Sequence, residues 1–242
     1  MGDLLALLAT AARAVPGLDG RPGRCAVAWC DAPAHEVAVL AEHLTRAHPE
    51  AGPHYWSLRC WGLCIWQAIY LSVVGVHLCG RSPRLSALAQ TVEDGRIRGF
   101  TLAPHPLPRQ DEDRALASGA EQIGQGCARL LSGWCAVGPL APKAAGRLQA
   151  DCVLGAVLAM RRHRRDWSAA RTAALGQQWL AAMGLAGECG LLAFTDAAGA
   201  PQLALARKGC CLHYRRAGAE MCATCPRMRV DERLARLGAC AP

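Results

Sequence analysis

"CWGLCIWQAIYLSVVGVHLCG", residues 60–80, runs for 21 residues without an Asp, Glu, Lys or Arg. A span of about 20 apolar residues is long enough to cross a bilayer. Gln67, Ser72 and His77 lie inside it, however, and Arg59 and Arg81 flank both ends without asymmetry. The sequence holds no second stretch of this kind. We read it as the buried core helix of a soluble fold, extending from about Tyr55 to His77.

Outward from that helix, the pattern gives mostly further helices. Residues 3–14 form an amphipathic helix with no basic n-region, so the start is not read as a signal peptide. Val37, Leu40, Ala41, Leu44 and Ala47 form one stripe of a helix over Ala34–His48, with Pro49 and Pro53 as stops. Ser82 and Pro83 read as N-cap and first residue of a helix through "SPRLSALAQTVEDG". Further helices are predicted at Asp111–Ser132, Ala144–Arg162, Ser168–Met183 and in "RVDERLARLG". Strands are predicted at Cys25–Trp29 and Arg96–Ala103, and as a hairpin, Leu191–Thr195 with Gln202–Ala206, around "DAAGAP". The fold class is α+β: a mostly helical body over 1–190, then a β-hairpin and Cys-rich module over 191–242.

Composition narrows the function. The chain is 52% apolar, which excludes disorder, and its formal charge of +8 favours acidic partners. Its basic residues are arginines except Lys143 and Lys208. No nucleic-acid-binding motif accompanies the charge, so no nucleic-acid partner is expected. The densest basic run, "MRRHRRDW" at 160–167, reads as a solvated helix end. A reducing cytoplasm is the expected compartment, with at most peripheral association at the inner face of the membrane. There the 14 cysteines mean metal ligands, redox thiols or core residues before they mean disulfides.

Four of those cysteines crowd into "GCCLHYRRAGAEMCATCPR", residues 209–227, at the spacing C-C-x10-C-x2-C. A Cys-x-x-Cys turn such as Cys222–Cys225 brings two sulfurs to one metal. Adjacent side chains diverge, so Cys210 and Cys211 chelate a single tetrahedral ion poorly, but they can reach two metals. Spacing leaves structural zinc open beside a four-thiolate iron–sulfur site. Cys60 and Cys64 share a helix face without a third ligand and read as core, and Cys25, Cys30, Cys127 and Cys135 lack ligand spacing. Cys79, Cys152, Cys189 and Cys240 are read as structural. His43 and His48 do not share a helix face and read as solvent-exposed.

"ARKGCCLHYRRAGAEMCATCPR" resembles the C-terminal signature of bacterial ferric-siderophore reductases of the ferrichrome/ferrioxamine type. The likeness covers about Gln202 to Arg227, and more loosely the long helix in "YWSLRCWGLCIWQAIYLSVVGVHL". The resemblance implies a [2Fe–2S] cluster held by Cys210, Cys211, Cys222 and Cys225. It implies an oxidoreductase of iron transport: one-electron reduction of a cytoplasmic ferric siderophore, of hydroxamate type, with release of Fe(II). No catalytic residue beyond the ligands is expected, and the electron donor is a ferredoxin or reductase. Arg207, Arg215, Arg216, Arg227 and Tyr214 are candidates for tuning the cluster or docking that donor, and His213 reads as an exposed histidine. Sequence does not locate the substrate pocket. Trp56, Trp134, Trp167 and Trp179 enter only as a pool of candidates for it. The alternatives are a zinc-stabilised interaction or regulatory protein, and an iron–sulfur electron-transfer or sensor protein without siderophore turnover.

Overall fold

The computed structural model describes residues 1–24, 27–31, 34–134 and 138–239, without the side chains of Ala34 and His35. Helix α1 (Gly2–Ala14) buries Leu4, Leu7, Leu8 and Ala11, the one-sided stripe expected of it. Helix α2 (Ala34–Ala47) buries Val37, Leu40 and Leu44, while Ala47 ends exposed. Pro49 opens a 3-10 turn, and Pro53 is not a stop but the first-turn proline of the next helix.

That helix, α3 (Pro53–Val74), is apolar on nearly every side because other helices surround it. It packs against α1, α2, α4 (Glu112–Ser132) and α5 (Pro142–Arg161). Some of its polar groups are matched inside the protein, while Gln67 Nε2 and Ser72 Oγ are buried without a partner. Trp134 Nε1 donates to Ser57 Oγ at 2.9 Å, and Gln90 Nε2 donates to Gln67 Oε1 at 3.1 Å. Pro53–Cys79 is long and apolar enough to span a membrane, yet 67% of its apolar window is buried within the fold. Helices α4 and α6 (Ala169–Ala182) begin at side-chain caps, Asp111 and Ser168.

Past Val74 the helix widens into a π turn, Gly75–Cys79, with His77 at its centre. Trp179 Nε1 donates to His77 Nε2 at 2.8 Å, so Nδ1 carries the proton and donates to Glu112 Oε1 at 2.9 Å. Burial lowers the His77 pKa, against the pull of Glu112. A group depressed in the folded state stabilises it above the unfolded value of 6.5 and loses that contribution as pH falls through the folded value. Urea midpoints measured between pH 7.5 and 5 are therefore expected to drop below pH 6.5 in the wild type and to flatten in His77→Gln.

Two sequence expectations fail here. The residues 82–95 do not form a helix: a 3-10 turn, Leu85–Ala87, leads into strand β2 (Leu88–Glu93). Ser82 does not cap; its hydroxyl accepts from Gln122 of α4 at 3.2 Å, and Gln122 Oε1 takes the Leu85 amide at 2.9 Å. Asp94 (φ 50°) and Gly95 (φ 66°) then form a two-residue hairpin turn into β3 (Arg96–Leu102), which was expected. The other failure is the strand at Cys25–Trp29. Its first two residues lie outside those described, and Trp29 sits in a 3-10 turn, Trp29–Asp31. The strand there is β1 (Gly20–Pro22), parallel to β3 at the edge of a three-stranded sheet.

The second sheet is the expected hairpin, β4 (Cys189–Thr195) with β5 (Pro201–Arg207). The Asp196 carboxylate closes its turn by accepting from the Ala198 and Ala200 amides at 3.0 and 2.8 Å. Both strands lie on α5 and α6, with Cys189 in the main core and Leu191 and Leu205 packed against it. Helix α7 (Val230–Ala239) rests on β4.

Candidate metal centre

The hairpin delivers the cysteine loop to a fixed place. Cys189 pairs with Arg207 in register, so the strand ends over α5 with the Arg207 side chain turned inward, 12% exposed. Arg207 Nε donates to Asp151 Oδ2 of α5 at 2.6 Å, and Asp151 is itself buried. Two residues later the chain presses on α5 again. A Cβ on Gly209 would stand 3.0 Å from Arg147 Cβ, so glycine permits this approach.

Cys210 and Cys211 follow, and then Leu212 takes the left-handed conformation, φ 57°. A 3-10 turn, His213–Arg215, comes next. This change of hand turns successive amides inward: Leu212 N–H donates to the Cys210 sulfur and His213 N–H to the Cys211 sulfur. Such a concave pair of amides stabilises negative charge. Across the loop, Cys225 N–H donates to Cys222 O at 2.9 Å, closing the Cys-x-x-Cys turn. The Cys210 thiol meets Cys225, and Cys211 meets Cys222. Arg236 of α7 ties down the far side, donating to Met221 O at 3.1 Å.

Arg207 completes the electrostatics. Its Nη1 lies 3.8 Å from Cys211 Sγ and 3.7 Å from Cys222 Sγ. The Cys222 thiol first, and then the His213 amide and Arg207, hold the Cys211 pKa well below the usual thiol range, against burial. Cys222 is pushed up because it supplies the shared proton. Burial works against the charge on Arg207, but Asp151 and the sulfurs outweigh it and keep the guanidinium protonated. The core thiols are the contrast. Burial raises Cys60 to about 12 and raises Cys64, Cys127 and Cys152 as well, so they stay neutral. Cys60 and Cys64 are buried on α3, as expected of core residues.

Among the described residues, no three His, Cys, Asp or Glu side chains converge around one point that would hold a single ion. The four loop thiols stand instead as two adjoining pairs. Four soft sulfur donors in one loop fit a four-thiolate iron–sulfur cluster. Cys210, Cys211, Cys222 and Cys225 would together hold a [2Fe–2S] cluster as four thiolates.

The other sequence candidates fall on the outside of the loop. Arg227 stacks over the Tyr214 ring at 5.1 Å, Arg215 is exposed, and Arg216 is half-buried near Glu50. The Glu50 carboxylate accepts the Ala217 amide at 2.8 Å and pins the tip of the loop to the body. Of the five side chains expected to tune the cluster or dock a donor, Arg207 is the one hydrogen-bonded to the sulfurs.

Two openings flank the loop. A groove of about 560 Å³ runs between α3, α5 and the hairpin, with Tyr55, Arg59, Trp66, Asp151, Arg207 and Cys211 among its lining. A smaller notch of about 270 Å³ lies on the other side, at Cys210. Leu58 and Leu148 form the partition that both share. The tryptophan pool from sequence does not line the groove. Trp134, Trp167 and Trp179 are 3%, 5% and 0% exposed in the core, and Trp56 is half-buried, donating to His48 O. The groove tryptophan is Trp66, on the part of α3 that other helices leave uncovered. Sequence reasoning missed Asp151 too, although an acid inside the apolar run "QADCVLGAV" is the signal that would have found it.

Comparison with known proteins agrees with this geometry. No solved structure matches the chain. The family model described as the FhuF 2Fe-2S C-terminal domain matches residues 207–227. The match begins at the guanidinium that touches the sulfurs and takes in all four loop thiols. The C-terminal loop of this chain is therefore an FhuF-type 2Fe-2S domain, and its cofactor is a [2Fe–2S] cluster.

Proposed function

We propose that the protein is a cytoplasmic ferric-siderophore reductase in which Cys210, Cys211, Cys222 and Cys225 hold the cluster. In this reading residues 191–242 are the cluster module and residues 1–190 the body that binds substrate against it. The observation that carries the reading is that Cys211 belongs both to the thiol group and to the wall of an open groove. When bound, the cluster supplies single electrons at low potential.

The chain's own residues do the rest. Trp66 offers aromatic surface to the carbon backbone of a bulky chelate, and Leu58, Leu63 and Leu148 line the groove beside it. Arg59 is exposed at the rim and makes no ion pair among the described residues, so it is free to meet the oxygens of a chelate. Arg207 keeps a fixed positive charge beside Cys211 and Cys222, which favours the arrival of an electron there. Hydroxamate oxygens hold Fe(III) strongly and the softer, less charged Fe(II) weakly, so one electron opens the chelate. No side chain is required to break a bond.

Stopped-flow mixing of chemically reduced protein with a ferric hydroxamate and a ferrous trap tests this. Reoxidation should saturate with chelate concentration in the wild type. In Trp66→Ala and in Arg59→Glu the half-saturating concentration should rise about tenfold, the scale of one lost contact of 1–2 kcal/mol. A reduced, cluster-bearing protein that no ferric chelate reoxidises would leave an electron carrier or sensor instead. Zinc in place of iron and sulfide would return the protein to the interaction class.

A further inference from the structure

The notch at Cys210 has a chemistry unlike the groove at Cys211. It is lined by Lys143, Ala144, Arg147, Lys208 and Gly209 around Cys210. Lys143 and Lys208 are the only lysines in the chain; every other cation is an arginine or histidine. Far apart in sequence, they are brought to one small opening by the contact of Gly209 with Arg147. Both are exposed, and neither makes an ion pair among the described residues. Arg147 is different: Glu188 takes its Nε at 3.1 Å, and its Nη1 reaches Lys208 O at 3.4 Å. It therefore acts as a strut that holds the Lys208 backbone in place. The notch also lies at the first turn of α5, whose N-cap, Ala141, supplies no side-chain cap, so the positive end of that helix faces the same way.

We propose that this notch is the docking surface for an acidic one-electron donor protein of the ferredoxin class, with Cys210 as the point of electron entry. The proposal rests on the cluster reading above and deepens it by naming the partner and its place. Adjacent cysteines give the loop two faces: Cys211 is turned to the groove and Cys210 to the notch, with Leu58 and Leu148 between. A substrate seated in the groove leaves the notch open, so donor and acceptor are held at once. One electron leaves the reduced donor and enters the protein; no bond forms or breaks, and no proton is needed. Two lysines without ion pairs among the described residues, beside Cys210, suit carboxylates on the partner, and charge complementarity of this kind acts on encounter rate and orientation. The earlier candidates Arg215 and Arg227 sit on the outer side of the loop and do not line this opening.

The test uses the holoprotein and an acidic plant-type [2Fe–2S] ferredoxin. In the double variant Lys143→Glu with Lys208→Glu, binding of oxidised ferredoxin, measured by titration calorimetry at low ionic strength, should weaken at least tenfold. The rate of reduction by reduced ferredoxin should fall by a similar factor, and both differences should vanish in high salt. The control is Arg162→Glu with Arg165→Glu, which alters net charge equally at the other end of α5, about 30 Å away. It should retain most of the binding. Reoxidation of the chemically reduced lysine variant by ferric hydroxamate should keep the half-saturating chelate concentration of the wild type, since neither lysine lines the groove. Equal losses in the lysine and control variants would reduce the effect to net charge and overturn the docking site. Failure of wild type to bind or accept electrons from any acidic ferredoxin, with its cluster spectrum intact, would overturn the partner. Absence of iron and sulfide from wild type would instead sink the cluster reading itself.

Discussion

Cys211→Ser is expected to yield a folded protein that has lost the visible absorption and the reduced-state paramagnetic signal of a [2Fe–2S] cluster. The Cys211 thiol is held as a thiolate by three donors: Cys222, the His213 amide and Arg207. A serine hydroxyl in the same place keeps those neighbours but stays protonated at neutral pH, and it is a hard donor where a soft one is needed. The change also leaves three thiolates where the cluster would take four. The same loss is expected of serine at Cys210, Cys222 and Cys225. Cys64→Ser and Cys127→Ser are the controls, since both thiols are buried in the body and kept neutral by that burial, and neither lines the openings at the loop. They should destabilise the fold and leave the spectrum unchanged. Circular dichroism separates loss of fold from loss of cluster, and iron and sulfide analysis gives the occupancy. Full iron content and an unaltered spectrum in Cys211→Ser would remove that residue from the ligand set.

Arg207→Gln is expected to damage stability and potential together, for two separable reasons. Arg207 and Asp151 are a buried pair, 12% and 7% exposed at their side chains. Asp151 Oδ1 already lacks a hydrogen-bond partner, and burial raises the Asp151 pKa even with Arg207 in place. Deleting the cation leaves that carboxylate uncompensated, which costs about 3–5 kcal/mol in comparable sites. The second effect is on the sulfurs. A guanidinium less than 4 Å from Cys211 and Cys222 stabilises added negative charge. At an effective dielectric near 20 that is worth a few kcal/mol, so its loss should move the midpoint potential negative by on the order of 100 mV. The double variant Arg207→Met with Asp151→Leu separates the two. It should recover thermal stability, because no charge is left buried, and show a smaller negative shift, because the more distant Asp151 charge is removed as well. A wild-type potential in both Arg207→Gln and the double variant would show that the Arg207 charge does not tune the site.

The sequence was read correctly where a pattern is local. A capped run such as Asp111–Ser132 must form a helix in nearly any context, and the alternating Leu191–Thr195 and Gln202–Ala206 around an Asp-led turn must form a hairpin. Reading failed at Ser82–Gly95 because two local signals competed there. Ser-Pro announces a helix start, and Asp-Gly announces a hairpin. Pairing of Leu88–Glu93 with β3 decided between them, and that partner lies beyond any local window.

By itself, the sequence determined that the chain is a helical body built on one long apolar helix, with four thiols crowded into one short loop whose signature resembles that of a two-iron cluster. Those properties depend on residue type and short-range order. Only the tertiary structure decided what surrounds the thiols. It buried Arg207 against Asp151 and set Trp66 and Arg59 in a groove at Cys211. It also brought the two lysines together at Cys210. Each of these joins residues from separate elements, placed by the packing of the hairpin on α5. Burial and charge at a site follow from that packing, and no short stretch of chain encodes them.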